Sequence, residues 1–149
     1  MKIAIGCDHA GFELKNDIIN HLKEKGIEYN DFGTYSEESC DYPEFALKVA
    51  ESVAQGEYEF GILVCGTGIG IGIAANKVPG IRAALCSDTF SAHATREHNN
   101  ANILTMGARV VGKGLALDIV DTFLNTDFIG GKHQRRIDMI TEIEKKYSK

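Results

Sequence analysis

Short apolar, β-branched runs alternate along the whole chain with longer stretches whose apolar residues recur every three or four positions, and this rhythm constrains the fold more than any other feature. A strand, then a helix, then a strand builds a parallel sheet with helices on both faces. The runs predict strands at Lys2–Cys7, Ile27–Asp31, Phe60–Cys65, Ile81–Cys86 and Ile103–Met106. Phe60–Cys65 is apolar throughout, the pattern of a central strand covered on both sides. Between the strands, Gly11–Lys25 sets Phe12, Leu14, Ile18, Ile19 and Leu22 on one helical face, and Pro43 opens a helix carrying Phe45, Ala46, Val49, Ala50 and Val53. Further helices are predicted over Ile71–Lys77, from Asp88 towards Asn100, over Gly112–Leu124 and over Arg136–Tyr147. No strand follows the last helix, which can pack on its own domain or on a partner subunit.

The 149 residues, 44% of them hydrophobic, suffice for one buried core, so a single domain over 1–149 is expected. A formal charge of −5 speaks against a nucleic-acid binder, which carries a basic face to displace counterions. No run reaches the length of a membrane span, and Met1-Lys2-Ile3 leads into a strand rather than a cleavable signal; the reading is a cytoplasmic protein without a membrane partner. Cys7, Cys40, Cys65 and Cys86 lie far apart without paired zinc spacing, which points to free thiols, no disulfide and no metal.

Ligands of open parallel sheets bind beyond the carboxyl ends of the strands. There the chain delivers Cys7-Asp8-His9, Cys65-Gly66-Thr67-Gly68-Ile69-Gly70, Cys86-Ser87-Asp88 and Gly107-Ala108-Arg109: a carboxylate, an imidazole, a thiol, a hydroxyl and a guanidinium. The run Gly66 to Gly72 offers unobstructed amides at a helix start, where an anion is favoured; its glycines can equally serve tight helix-strand packing. A dinucleotide fingerprint needs a third glycine three residues after the second, yet Ile71 or Ile73 stands there, which weakens a nicotinamide-cofactor reading. Cys65 at the mouth of that helix sits in a field that favours the thiolate, whereas Cys7 and Cys86 read as small core residues. His98 ends a helix beside Asn99 and Asn100, where it can cap carbonyls or donate a proton. Lys132-His133-Gln134-Arg135-Arg136 sets cations at a helix start against the dipole, a local conflict that hints at an anionic ligand or partner.

The segments Gly6-Cys7-Asp8-His9-Ala10-Gly11, Asp41-Tyr42-Pro43, Cys65 to Gly70, Ala74-Ala75-Asn76-Lys77, His98-Asn99 and Gly107 to Gly112 together carry a resemblance over essentially the whole chain. It closely resembles the type B ribose-5-phosphate isomerases, a family that also holds galactose-6-phosphate isomerase subunits and allose-6-phosphate isomerases. The resemblance implies an α/β fold, a three-layer α/β/α sandwich around a five-stranded parallel Rossmann-like sheet, with an additional C-terminal helix at a dimer interface. It implies a homodimer or dimer of dimers with shared active sites, no metal and no cofactor. The implied reaction is aldose-ketose isomerisation of ribose 5-phosphate to ribulose 5-phosphate, through a cis-enediolate, in the pentose phosphate pathway.

Carried over by the same resemblance, Cys65 is the base, His98 the ring-opening acid and Thr67 a shuttle for the hydroxyl proton. The amides of Gly66, Thr67, Gly68, Ile69 and Gly70 form the anion hole, while Asp8, His9 and Asn99 hold sugar hydroxyls and Tyr42 joins the substrate-binding set. Arg109 binds the phosphate with Lys132 and Arg136 of a partner chain, and His133 lies nearby. Many members carry arginine where Lys132 stands, and lysine offers a point charge in place of a two-pronged clamp. Where a cysteine-less subset uses a glutamate this chain has Ile71, leaving Cys65 as the available base. A hexose-phosphate isomerase acting on allose 6-phosphate or galactose 6-phosphate is the alternative within the class. A nucleotide-binding regulatory module is the alternative outside it, and it gives Cys65 and His98 no role.

Overall fold

The computed structural model describes residues 1–148. Five parallel strands, β1 (Lys2–Cys7), β2 (Glu28–Asp31), β3 (Phe60–Cys65), β4 (Ala83–Leu85) and β5 (Ile103–Gly107), form one sheet in the order β2-β1-β3-β5-β4. β3 pairs with both β1 and β5 and is buried along its whole length, the central place that its apolar run predicts. β4 is shorter than the predicted Ile81–Cys86 because it is an edge strand with a single ladder, to β5, to hold it.

Helices α1 (Phe12–Glu24), α4 (Thr89–Asn99) and α5 (Lys113–Leu124) cover one face of the sheet; α2 (Tyr42–Ala54) and α3 (Ile69–Ala75) cover the other. Strand pleating sorts the side chains between these layers. Ile3, Ile5, Cys7, Ile62 and Val64 join the core of α1 and α5, whereas Ala4, Leu63, Cys65 and Ile103 point towards α2 and α3. Each fully buried Ile or Leu on these faces contributes about 1.5–3 kcal/mol relative to exposure. Cys65 thus belongs to the opposite layer from Cys7.

The last helix, α6 (Lys132–Tyr147), starts at Lys132 rather than Arg136, so the whole basic run lies in its first turns. It lies along α4 of its own chain and buries Ile137 there, while Met139, Ile140 and Ile143 stay exposed. A second feature absent from the sequence pattern is Lys15 on α1, which is wholly buried. Its Nζ donates to Asp31 Oδ1 at 2.7 Å and to the Thr34 carbonyl at 2.5 Å, and the amide of Thr34 donates to the Cys7 carbonyl at 2.8 Å. These bonds pin the loop after β2 to the carboxyl end of β1, where the candidate site begins.

Candidate active site

Because β1, β3 and β5 are neighbours, their carboxyl ends bring Asp8 and His9, the Cys65–Gly70 loop and Arg109 to one rim of the sheet. Asp8 Oδ1 accepts from the amides of Ala10 at 3.0 Å and Gly11 at 3.2 Å, capping the single 3-10 turn His9–Gly11. Oδ2 has no protein partner among the described residues. His9 Nδ1 accepts the amide proton of Cys40 at 3.2 Å. A ring nitrogen that accepts carries no hydrogen, so the neutral ring presents Nε2–H as a donor.

Cys65 is 5% exposed, and its sulfur accepts the amide proton of Gly68 at 3.1 Å, a main-chain donor of the kind a thiolate attracts. Burial pushes the thiols of Cys7 and Cys86 up to about 12 and about 11, in keeping with their reading as core residues. The amide of Ile69 is also engaged, donating to Thr67 Oγ1 at 3.2 Å. The amides of Gly66, Thr67 and Gly70 have no acceptor among the described residues, the last lying in the first turn of α3 where amides have no intrahelical partner.

The packing reading of the glycine run holds at three residues, each for a different neighbour. At Gly68, with φ +79°, a Cβ would lie 2.7 Å from Leu85 Cδ1 and from the Met106 carbonyl carbon, so this glycine serves packing against the β4-β5 edge. At Gly70 a Cβ would meet Tyr42 Cζ at 2.6 Å, and at Gly66 it would meet Arg109 Nη1 at 3.2 Å; these two clear room for side chains lying over the loop. Gly107 ends β5, and a Cβ there would lie 2.6 Å from the Thr67 carbonyl; a glycine ending a strand is the signal for such an approach. Gly68→Ala is expected to lower stability by about 2–4 kcal/mol, from left-handed strain and overpacking together. Thermal melts check this, and a parental melting curve would contradict the packing described.

His98 and Asn99 are placed elsewhere. α4 leaves the carboxyl end of β4 and runs back, so its last turn reaches the amino edge of the sheet, where Arg82, just before β4, donates to the Asn99 carbonyl at 2.9 Å. The exposed His98 ring stacks on His133 with centroids 4.4 Å apart and planes inclined by 17°. His133 is held below the ordinary histidine range by partial desolvation and then by His98, Lys132 and Arg136 beside it, with Glu97 opposing. The predicted site residues thus form two groups on opposite edges: Asp8, His9, Tyr42, Cys65–Gly70 and Arg109 on one, His98, Asn99, Lys132, His133 and Arg136 on the other.

A cavity of about 440 Å³ is lined by Arg82, Asn99, Ile140 and Glu144, and one of about 260 Å³ by Ala10, Glu13, Asp17, Arg109 and Lys113. Cys65 lines neither of these two cavities, although Arg109 of the same rim lines the smaller. Among the described residues no group of three or more His, Cys, Asp and Glu side chains is placed to hold a metal ion, and no helix is long and apolar enough to cross a membrane.

The sequence matches the family described as Ribose/Galactose Isomerase over residues 3–140. It is 54% identical over 145 residues to ribose-5-phosphate isomerase B of Escherichia coli K12, covering 97% of each chain. It is 52% identical over 146 residues to ribose-5-P isomerase B of Listeria innocua, covering 98% of this chain and 99% of that one. The solved structure of Clostridium thermocellum ribose-5-phosphate isomerase B matches with a TM-score of 0.98 at 61% identity, over 99% of this chain and 100% of that one. With a five-stranded parallel sheet, a glycine loop cradling Cys65 and these relatives over nearly its full length, the chain belongs to the ribose/galactose isomerase family.

Proposed function

We infer that the chain interconverts ribose 5-phosphate and ribulose 5-phosphate, with Cys65 as the base. The observation that carries the assignment of the base is the Cys65 sulfur at the carboxyl rim, met by the Gly68 amide and flanked by Asp8, His9 and Arg109. His98 gives a proton to the ring oxygen as the C1–O bond breaks, and the C1 hydroxyl releases its proton to water, leaving the linear aldose. Cys65 takes the C2 proton and returns it at C1. Thr67 accepts the Ile69 amide through its oxygen, so its O–H is free to pass the hydroxyl proton. The enediolate oxygen faces the amides of Gly66, Thr67 and Gly70; one such donor is typically worth about 10²–10³ in rate.

The two-edge arrangement supports a site completed by a second copy. A two-fold dimer that lays the His98 edge of one chain on the Cys65 rim of the other forms two complete sites at once. Exposed Ile69, Ile73 and Leu85 near the rim and Met139, Ile140 and Ile143 on α6 are apolar surfaces suited to such an interface. Lys132 and Arg136 of one copy then join Arg109 of the other around the phosphate. The four free thiols suit the reducing conditions of the cytoplasm, where we place the reaction.

Solvent deuterium should enter C2 of ribose 5-phosphate and C1 of ribulose 5-phosphate when the protein turns over in heavy water; absence of both exchange and interconversion would overturn the assignment. Arg136→Ala is expected to raise KM about tenfold or more with kcat little changed, because a phosphate contact is made in the ground state and the transition state alike. A loss confined to kcat in steady-state assays would remove Arg136 from that role.

A further inference from the structure

We propose that Arg82 is a positioning residue for ring opening: its guanidinium sets the last turn of α4, and through that turn the aim of His98. The inference rests on the reading of His98 as the ring-opening acid. His98 is exposed and makes no hydrogen bond among the described residues; its ring is located by the stack on His133 and by the backbone that carries it. That backbone is the end of a helix, where the final carbonyls have no intrahelical partner.

Arg82 supplies the partners. Its Nε donates to the carbonyls of Asn99 at 2.9 Å and Asn100 at 3.2 Å, and its Nη2 donates to Asn100 at 3.0 Å. Its own backbone is fixed in turn, the amide donating to Asn102 Oδ1 at 2.8 Å and the carbonyl accepting from the Asn102 amide at 3.0 Å. Such charge-assisted bonds are roughly twice as strong as neutral ones, and half-burial raises their weight further. Glu144 on α6 faces the same guanidinium across the 440 Å³ cavity and accepts the Gly80 amide at 3.2 Å, so α6, which carries His133, is tied to the same point.

The turn needs this support because it is wound tightly. Asn100 adopts the left-handed conformation at φ 46°, ψ 45°, which few non-glycine residues occupy. From the core side Arg96 donates to Asn100 Oδ1 at 2.8 Å and to the Ala101 carbonyl at 2.7 Å. Arg96 thus anchors the inner side of the turn, and Arg82 holds the outer side, the one nearer His98. Without Arg82 the last turn of α4 frays and the imidazole loses its aim, while the Cys65 rim, at the other edge of the sheet, is untouched.

The two substrates separate these steps. Ribose 5-phosphate is a furanose that must open, whereas ribulose 5-phosphate stays linear, because the oxygen that would close its five-membered ring carries the phosphate. Exchange at C1 of the ketose in heavy water therefore reports Cys65 chemistry without ring opening. Arg82→Ala is expected to lower turnover of ribose 5-phosphate about 10- to 100-fold, the cost of misplacing a catalytic group by about 1 Å, with ketose C1 exchange within about threefold of wild type. His98→Asn should show the same selective loss, Arg82→Lys should recover part of the turnover, and Asn100→Ala, which strains the turn without touching Arg82, should mimic Arg82→Ala. Equal loss in both assays for Arg82→Lys and Asn100→Ala, or loss in neither, overturns the inference while a selective His98→Asn leaves the acid in place. A His98→Asn protein with wild-type turnover removes the acid and the inference together.

Discussion

Cys65→Ala is expected to bring interconversion of ribose 5-phosphate and ribulose 5-phosphate below detection, in line with the 10²–10⁴-fold that a positioned acid-base group typically contributes. The fold should survive. Removing the sulfur leaves the Gly68 amide without its acceptor, a loss of about 1–3 kcal/mol against a domain stability of about 5–15 kcal/mol. Cys65→Ser separates the two contributions: its hydroxyl can again accept from Gly68 and recover stability, but it does not ionise near neutrality and should leave the protein inactive. No other cysteine substitutes for Cys65. Cys7 and Cys86 lie in the α1 and α5 core with thiols pushed up to about 12 and about 11 by burial, and Cys40 sits beside His9 on the loop before α2. Thermal melts and steady-state rates on the same preparations check the prediction, and residual turnover above about a tenth of wild type would assign the base elsewhere.

The parts of the fold legible in the sequence are those fixed by burial on both sides. β1 and β3 span the predicted residues because their apolar runs are buried, β3 along its whole length and β1 from Ile3 onward. β4 is shorter than the predicted Ile81–Cys86 because sequence does not reveal that its place at the sheet edge leaves one ladder. The burial of Lys15 and Arg96 is not legible for a related reason: a cation on an amphipathic helix reads as a solvated residue, and its burial depends on Asp31 and Thr34 from another segment or on the tight turn of Asn100 and Ala101. The rim around Cys65 was legible because strands end where the chemistry-bearing residues begin. What stayed open was the glycine run, where packing at Gly68 and clearance at Gly66 and Gly70 leave the same letter in the sequence. The position of His98 followed in principle from topology alone, since the end of a helix that returns from a parallel strand lies at the amino edge.

Mixing Cys65→Ala and His98→Asn chains, each at about a tenth of wild-type turnover of ribose 5-phosphate or less alone, is expected to restore about a quarter of wild-type activity once subunits have exchanged. Random reassortment makes half of the dimers hybrids. In a hybrid, one site joins the Cys65 of the His98→Asn chain to the His98 of the Cys65→Ala chain and is wild type, while the other site carries both changes. The fraction follows from the two-fold alone, so its value tests the geometry more sharply than either single variant. If each chain used its own His98, every site in every dimer would lack one of the two residues and mixing would restore nothing. Hybrids isolated with two different affinity tags should each carry one active site in two, which excludes a trace of wild-type protein as the source. Failure of tagged hybrids to turn over would require His98 and Cys65 of one chain to meet. His98 ends α4, about 16 Å along its 11 residues from the carboxyl end of the sheet, and Cys65 points into the opposite layer, a gap that an imidazole side chain does not bridge.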